Sequence, residues 1–347
     1  MNNHLAKVSG LRSGLAALAV AAGMILSPSL AAAKCDAGEK ILKFSLVTAI
    51  DGHPKGEAAK AFAERVNREF QGSYCLEIYG NSELYDDDVV FDALLSGDVH
   101  FAAPSLSKFG KYTKKLQLFD LPFLFDSPLH VMEFLSTPDA LALKNSINTS
   151  GFQGLEFWAN GMLQMSGARP LRVPADAAGL TFRIQPSAVT DATFRALGAE
   201  TKTLAFSKVY DALASGEVNA QYNTWSNIQT KGFYLEQAAV TETNFAYLGY
   251  MVVTSSAFLD GLDQATRDKF LGLLKLTTHE RNRFAFEINQ IRRQDIIDDD
   301  GIIIRLNEEE LQLWRDAFAP VWDQFRDEIG RDLVAAAVKA NAEAKPF

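Results

Sequence analysis

Histidine and cysteine are scarce, and that scarcity removes most site chemistry at once. There are five histidines (His4, His53, His100, His130, His279) and two cysteines (Cys35, Cys75) in 347 residues. No pair of histidines stands at zinc-ligand spacing, so nothing marks a metal centre. A Gly-x-Ser-x-Gly elbow and a phosphate loop are also missing, which leaves no marked nucleophile or nucleotide cradle. Positive charge is in deficit: 34 Lys and Arg against 43 Asp and Glu give a formal net charge of −9. That balance disfavours nucleic acid and anionic membrane as partners. The run Asp86-Asp87-Asp88 lacks the glycine and terminal glutamate of a calcium loop. It reads as negative charge at a helix start, and Asp298-Asp299-Asp300 as a solvated turn. The expectation is a protein without catalytic residues, metal or cofactor. Carboxylates converging from distant positions, as in a glycosidase, are the enzymatic alternative.

Long apolar runs are confined to the N-terminus. Lys7 and Arg12 precede an apolar, Ala-rich stretch at 15–26, then Pro28 and Ala31-Ala32-Ala33. This is the pattern of a secretory signal peptide over 1–33, with cleavage after Ala33. Its apolar core is too short to span a bilayer easily. Lys34 before Cys35 does not suit a lipoprotein signal. In an exported chain, Cys35 and Cys75 suggest one stapling disulfide, with two free buried thiols as the alternative.

What is present is an alternation of strand-like and helix-like segments, the mark of an α/β protein. Strand patterns fall at 41–47, 76–79, 99–102, 163–166, 180–184, 218–222, 248–253 and 302–306. A second set of elements is expected to begin at 154–158. A helix starts at Pro54, a residue suited to the first helical position, with Ala58, Ala59, Phe62 and Val66 at helical spacing. Further helices are expected over 188–197, 206–214, 264–297, 308–329 and 331–344. Trp314, Phe318, Val321, Trp322 and Phe325 form an apolar stripe of the kind that packs a core. No linker or repeat divides the chain, so two lobes joined by several crossings, with a cleft between them, fit best.

The most informative stretch is 180–228. Arg183 sits in a strand pattern just before Gln185-Pro186-Ser187, and a later strand returns to end at Asn223. An arginine fixed at a strand end beside an amide is a fork for a carboxylate. With no nucleophile or metal cluster nearby, the chemistry is capture rather than reaction.

Several motifs carry a resemblance that covers nearly the whole mature chain. They are Gly52-His53-Pro54-Lys55-Gly56, Leu84-Tyr85-Asp86-Asp87-Asp88, Ala102-Ala103-Pro104-Ser105-Leu106-Ser107-Lys108-Phe109 and Phe119-Asp120-Leu121-Pro122-Phe123-Leu124-Phe125. Asn160-Gly161-Met162, Gly179-Leu180-Thr181-Phe182-Arg183, Ala205-Phe206-Ser207-Lys208-Val209-Tyr210 and Asn223-Thr224-Trp225-Ser226-Asn227 complete the set. Together they resemble the periplasmic solute-binding subunits of TRAP transporters, the DctP family, and among these the dicarboxylate-binding members.

The resemblance implies a two-lobed periplasmic-binding-protein-like fold with mixed sheets and a long interlobe helix. Lobe I is expected to comprise 34–158 plus about 251–290, and lobe II 159–250 plus about 291–347. It also implies a periplasmic monomer that closes on a small organic acid and hands it to a TRAP permease. Arg183 matches the family's carboxylate-binding arginine, Asn223 the ligand-facing amide and Ser105 a first-lobe contact. Lys55 and His53, at a helix start, are candidates for a second carboxylate. Ser187 is a further polar candidate. Trp225, Phe182 and Trp158 either wall the pocket or pack the core. Asn223 alternatively caps the helix that follows it. Leu163 stands where relatives often carry Arg or Lys. Unless Lys55 supplies the second cation, that departure favours a monocarboxylate or sugar acid over succinate, malate or fumarate. A sensor subunit and a secreted enzyme are the readings from other classes.

Overall fold

Short apolar runs punctuated by helical periods build two mixed sheets. The computed structural model describes residues 35–343, so the expected signal peptide at 1–33 lies outside the described residues. The strands are β1 (Lys40–Ser45), β2 (Tyr74–Tyr79), β3 (Phe101–Ala102), β4 (Phe152–Met162), β5 (Gln164–Gly167), β6 (Thr181–Ile184), β7 (Glu200–Thr203), β8 (Ala220–Asn223), β9 (Ala239–Glu242), β10 (Tyr247–Ser255) and β11 (Ile303–Arg305). The helices are α1 (Pro54–Glu69), α2 (Val90–Ser96), α3 (Pro128–Leu135), α4 (Pro138–Lys144), α5 (Ala188–Arg195), α6 (Val209–Ala214), α7 (Trp225–Thr230), α8 (Ser256–Asp260), α9 (Gln264–Asp298), α10 (Glu308–Ile329) and α11 (Arg331–Glu343).

The first sheet has the order β2-β1-β3-β10-β4, and the second β11-β9-β5-β8-β6-β7. In the first, β1 runs parallel to β2 and β3, while β10 is antiparallel to β3 and β4. The segment at 154–158, expected to open the second set, lies within β4 and pairs with β10 in the first sheet. Its apolar residues are claimed by that sheet's core: Trp158 stacks on Phe44 at 5.5 Å between ring centroids. The chain then crosses between sheets at Leu163, which separates β4 from β5, and returns from β9 to β10 through 243–246. These two crossings lie side by side, Leu163 N–H donating to Ala246 O at 2.8 Å. Helix α9, 35 residues long, makes a third link. It packs on α1 and β4 near one end and on α7 near the other, where Arg293 forms a two-bond ion pair with Glu242.

Local sequence explains the helix starts that matter for the site. His53 caps α1, its Nδ1 accepting from Lys55 N–H at 3.1 Å, and Pro54 occupies the first turn. Ala58, Ala59, Phe62 and Val66 are buried, and burying a Phe or Val side chain contributes about 1.5–3 kcal/mol. Gly56 is required here: a Cβ would lie 2.1 Å from Ile50 O. Helix α10 opens on a capping box between Asn307 and Glu310. Its Trp314, Phe318 and Val321 are buried, as the stripe predicted, whereas Trp322 and Phe325 are partly buried.

Helix α11 packs on α3, bringing Val334, Ala337 and Ala340 into the cluster that holds Val131 and Phe134. Asn341 reinforces this, donating to the Asp126 carboxylate at 2.8 Å. Cys35 and Cys75 are joined in a disulfide with their Cα atoms 5.6 Å apart, tying the start of the described chain to edge strand β2.

Candidate functional site

Between the two sheets lies a narrow cleft, with a cavity volume of about 20 Å³, lined from both sides. Arg183 enters it from β6, whose neighbours in register are Lys202 of β7 and Gln221 of β8. The side chain is 1% exposed. Its Nε and Nη2 both donate to Leu204 O, at 3.1 and 2.8 Å. Two of the five guanidinium N–H groups are thereby used, leaving three for something else. No described carboxylate lies within ion-pair distance of it; burial pulls its pKa down, partly offset by Tyr222 and by Asp88 and Asp87 farther off. A guanidinium remains protonated regardless. Arg183 is therefore a buried charge without a counter-ion, an arrangement that is costly unless an anion completes it.

Asn223, at the end of β8, lines the same cleft. It does not cap α7; Thr224 does, accepting from Asn227 N–H. Asn223 is instead held inside a directional chain of hydrogen bonds. His53 Nδ1 is occupied as an acceptor, so Nε2 carries the proton and donates to Asn227 Oδ1 at 2.8 Å. Asn227 Nδ2 donates to Asn223 Oδ1 at 2.7 Å, and Asn223 Nδ2 donates to Gln221 Oε1 at 3.0 Å. One N–H of Asn223 stays free for a ligand oxygen. His53 is neutral, its pKa pushed down to about 3, first by burial and then by the charge of Lys55.

The opposite wall supplies one lining cation, Lys108, and a second, Lys55, lies buried against the lining residue Tyr250 without reaching the cleft itself. Lys55 is fully buried; its Nζ donates to Ala103 O at 3.0 Å and lies 4.0 Å from the centre of the Tyr250 ring. Burial pulls its pKa down to about 8, while Asp87 opposes that pull. Lys108 lines the cleft and meets the half-exposed Asp88 at 2.5 Å. Ser105 lines it too, its Oγ donating to Gln185 Oε1 across the two sheets.

The remaining sequence candidates fall elsewhere. Phe182 stacks on Phe194 at 4.2 Å, and Trp158, in β4, donates its ring N–H to Thr278. Trp225 is buried beside Val47 and Phe206, with its ring 5.4 Å from the Arg293 guanidinium. Ser187 caps α5. These four serve packing and capping; none lines the cleft. Leu163, the position expected to matter for a second cation, is 1% exposed in the central core and does not line the cleft.

Sequence reasoning missed Lys108, Asp87, Gln185 and Asn227 as lining residues. Three of them stood inside motifs already quoted, and Gln185 lies two residues past the end of one. The aspartate run was misread as a unit. Asp86 accepts from Ser82 and Ser207, Asp88 pairs with Lys108, and Asp87 alone faces the cleft.

Several side-chain bonds span the two walls: Ser105 to Gln185, His53 to Asn227, Ser207 to Asp86 at 2.9 Å and Lys231 to Asn81 at 2.9 Å. The walls thus meet in a closed arrangement. A larger hollow near Phe123 contains Arg305 and Arg315. Those cations already face Glu242 and Asp126 and are accessible to water, so they present no unsatisfied demand for an anion.

Two mixed-sheet lobes, linked by adjacent crossings and closing over an uncompensated buried arginine, define a two-lobed solute-binding protein. The chain belongs to the bacterial extracellular solute-binding protein family 7, DctP, which it matches over residues 44–328. It is 47% identical over 311 residues to the C4-dicarboxylate-binding periplasmic protein DctP of Vibrio cholerae, covering 90% of this chain and 94% of that one. A TRAP periplasmic solute-binding protein from Shewanella oneidensis, solved with bound succinate, shares the fold with a TM-score of 0.85 and 41% identity. That alignment covers 87% of this chain and 99% of the other. A counterpart from Pseudomonas aeruginosa, solved with bound L-malate, gives a TM-score of 0.80 at 38% identity, covering 82% and 99%. The family consists of solute-binding receptors rather than enzymes.

Proposed function

We propose that this protein is a periplasmic receptor for a C4 dicarboxylate, of the succinate, malate and fumarate type, that closes on its ligand and delivers it to a TRAP permease. The observation that carries the reading is Arg183, buried and charged with no carboxylate partner among the described residues. One ligand carboxylate takes the free N–H groups of Arg183 and the free amide N–H of Asn223. Lys108 on the facing wall, with Lys55 buried against the lining residue Tyr250, attracts a second carboxylate, which answers the apolar Leu163. The relatives named for C4-dicarboxylate binding and those solved with succinate and L-malate support the same ligand class. Residues 1–33 serve as the export signal.

A thermal-shift series tests this reading, because a ligand that binds only the folded state raises its melting temperature progressively with concentration. Succinate, L-malate and fumarate are expected to do so, and propionate, galactonate and glucuronate to have little effect. If only the monocarboxylates or sugar acids stabilise the protein, the dicarboxylate assignment is wrong.

A further inference from the structure

Asp87 lines the cleft, is 9% exposed, and is hydrogen-bonded to no described residue, although both neighbouring aspartates are engaged. An ionised carboxylate is acceptor-only. Such a group is out of place in a cleft built to receive anions unless a donor comes to it. We propose that binding of a dicarboxylate is coupled to uptake of one proton, which Asp87 shares with the ligand's second carboxylate. The inference rests on the dicarboxylate reading above.

The charges that face Asp87 decide the balance. Lys55 reaches it from α1, Lys108 from the turn after β3, Arg183 from β6, and Asp86 and Asp88 from its own loop; the Tyr250 hydroxyl on β10 is neutral. His53, beside Lys55, is neutral, and Lys231 acts on Lys55 from the end of α7. The cleft lining carries two cations (Arg183, Lys108) and one anion (Asp87), for a net charge of +1; outside the lining, the buried Lys55 and the half-exposed Asp88 offset each other. A bound dianion would leave −1 in a desolvated space, and one proton taken from solvent restores neutrality. Two carboxylates held side by side do not both stay ionised, and sharing one proton is the ordinary outcome. Asp87 is predisposed to this role, since burial already raises its proton affinity against the pull of Lys55 and Lys108.

The test is titration calorimetry of the full mature protein with succinate, at about pH 6.5–7, in two buffers of different ionisation enthalpy. Succinate is largely dianionic there, and Lys55, with its pKa of about 8, is largely protonated. The wild type is expected to take up about one proton per succinate, so its affinity falls about tenfold per pH unit. Asp87→Asn is expected to bind with no uptake and with an affinity that is flat in pH. Asp92→Asn, which removes an exposed carboxylate in the first turn of α2 outside the cleft, is expected to keep the uptake. Zero uptake in the wild type, or uptake unchanged in Asp87→Asn, overturns the proposal. The wild-type measurement decides alone if Asp87→Asn fails to fold. If succinate, malate and fumarate all fail to bind, the ligand reading falls, an outcome distinct from binding without uptake.

Discussion

Replacing Arg183 with methionine separates a binding role from a structural one, because the two predict opposite effects on the free protein. The guanidinium is buried, and its recorded polar contacts are two N–H bonds to Leu204 O. Methionine roughly preserves the unbranched bulk. Losing both donors leaves that carbonyl unsatisfied, at a cost of about 1–3 kcal/mol. Removing an uncompensated buried charge relieves a desolvation penalty of several kcal/mol. The free variant should therefore lie within about 2 kcal/mol of the wild type, or exceed it. Ligand binding behaves differently. Two charge-assisted hydrogen bonds at about 1.5–3 kcal/mol each amount to about 3–6 kcal/mol, a loss of roughly 10²- to 10⁴-fold in affinity. Urea denaturation of the free protein gives the first quantity, and calorimetry with succinate the second. A free variant destabilised by more than about 3 kcal/mol would make Arg183 a structural strut. Succinate affinity within a few-fold of wild type would refute the assignment altogether.

Two further outcomes follow from the same structure. His53 titrates at about 3 when folded, against a reference value of 6.5. A depressed pKa means its contribution is full above pH 6.5 and lost as pH falls toward 3, at up to about 1.4 kcal/mol per pH unit. Asn at this position keeps a cap for α1 but cannot ionise, so His53→Asn should lose about 2–3 kcal/mol less stability than wild type between about pH 7 and 4.5; identical pH dependence in denaturant melts would contradict the buried neutral imidazole. The disulfide closes a separation of 40 residues, for which chain entropy gives about 4 kcal/mol. Because it joins edge strand β2 away from the cleft, a Cys35→Ser, Cys75→Ser double variant should be less stable by about 2–4 kcal/mol while binding succinate as the wild type does.

Much of this architecture was legible because it is written locally. A proline at the first turn and a 3.6-residue apolar period make α1 wherever it packs, and the Asn307–Glu310 capping box begins α10 in the same way. Arg183 was legible because a lone charge in an apolar strand needs a reason. What remained hidden depends on partners distant in sequence. Phe182 and Arg183 are adjacent, and only the pleat sends one into the lobe core against Phe194 and the other into the cleft. The three aspartates at 86–88 have one composition and three destinations: Asp86 and Asp88 are held by residues between 4 and 121 positions away, and Asp87 is left facing the cleft. The sheet that strand β4 joins is likewise decided at a distance, by pairing with β10 some 90 residues later.

The placement of the cations links recognition to closure. Arg183 stands on the second sheet, whereas Lys55 and Lys108 belong to the first sheet's side. On the dicarboxylate reading, a ligand satisfies both charges only when the walls are together, and one carboxylate alone leaves a buried cation unanswered. A ligand can shift a conformational equilibrium only by its difference in affinity for the two states. On that reading the difference resides in the second carboxylate, because separating the walls would leave Arg183 able to take only the first. Of the four cross-wall bonds named, Ser207 to Asp86 and Lys231 to Asn81 are exposed, where polar pairs contribute at most about 1 kcal/mol each, and Ser105 to Gln185 and His53 to Asn227 are buried, with a net contribution of about 0.5–1.5 kcal/mol each. On the dicarboxylate reading, an anion that neutralises cations on both walls adds to these bonds and biases the protein further toward the closed arrangement.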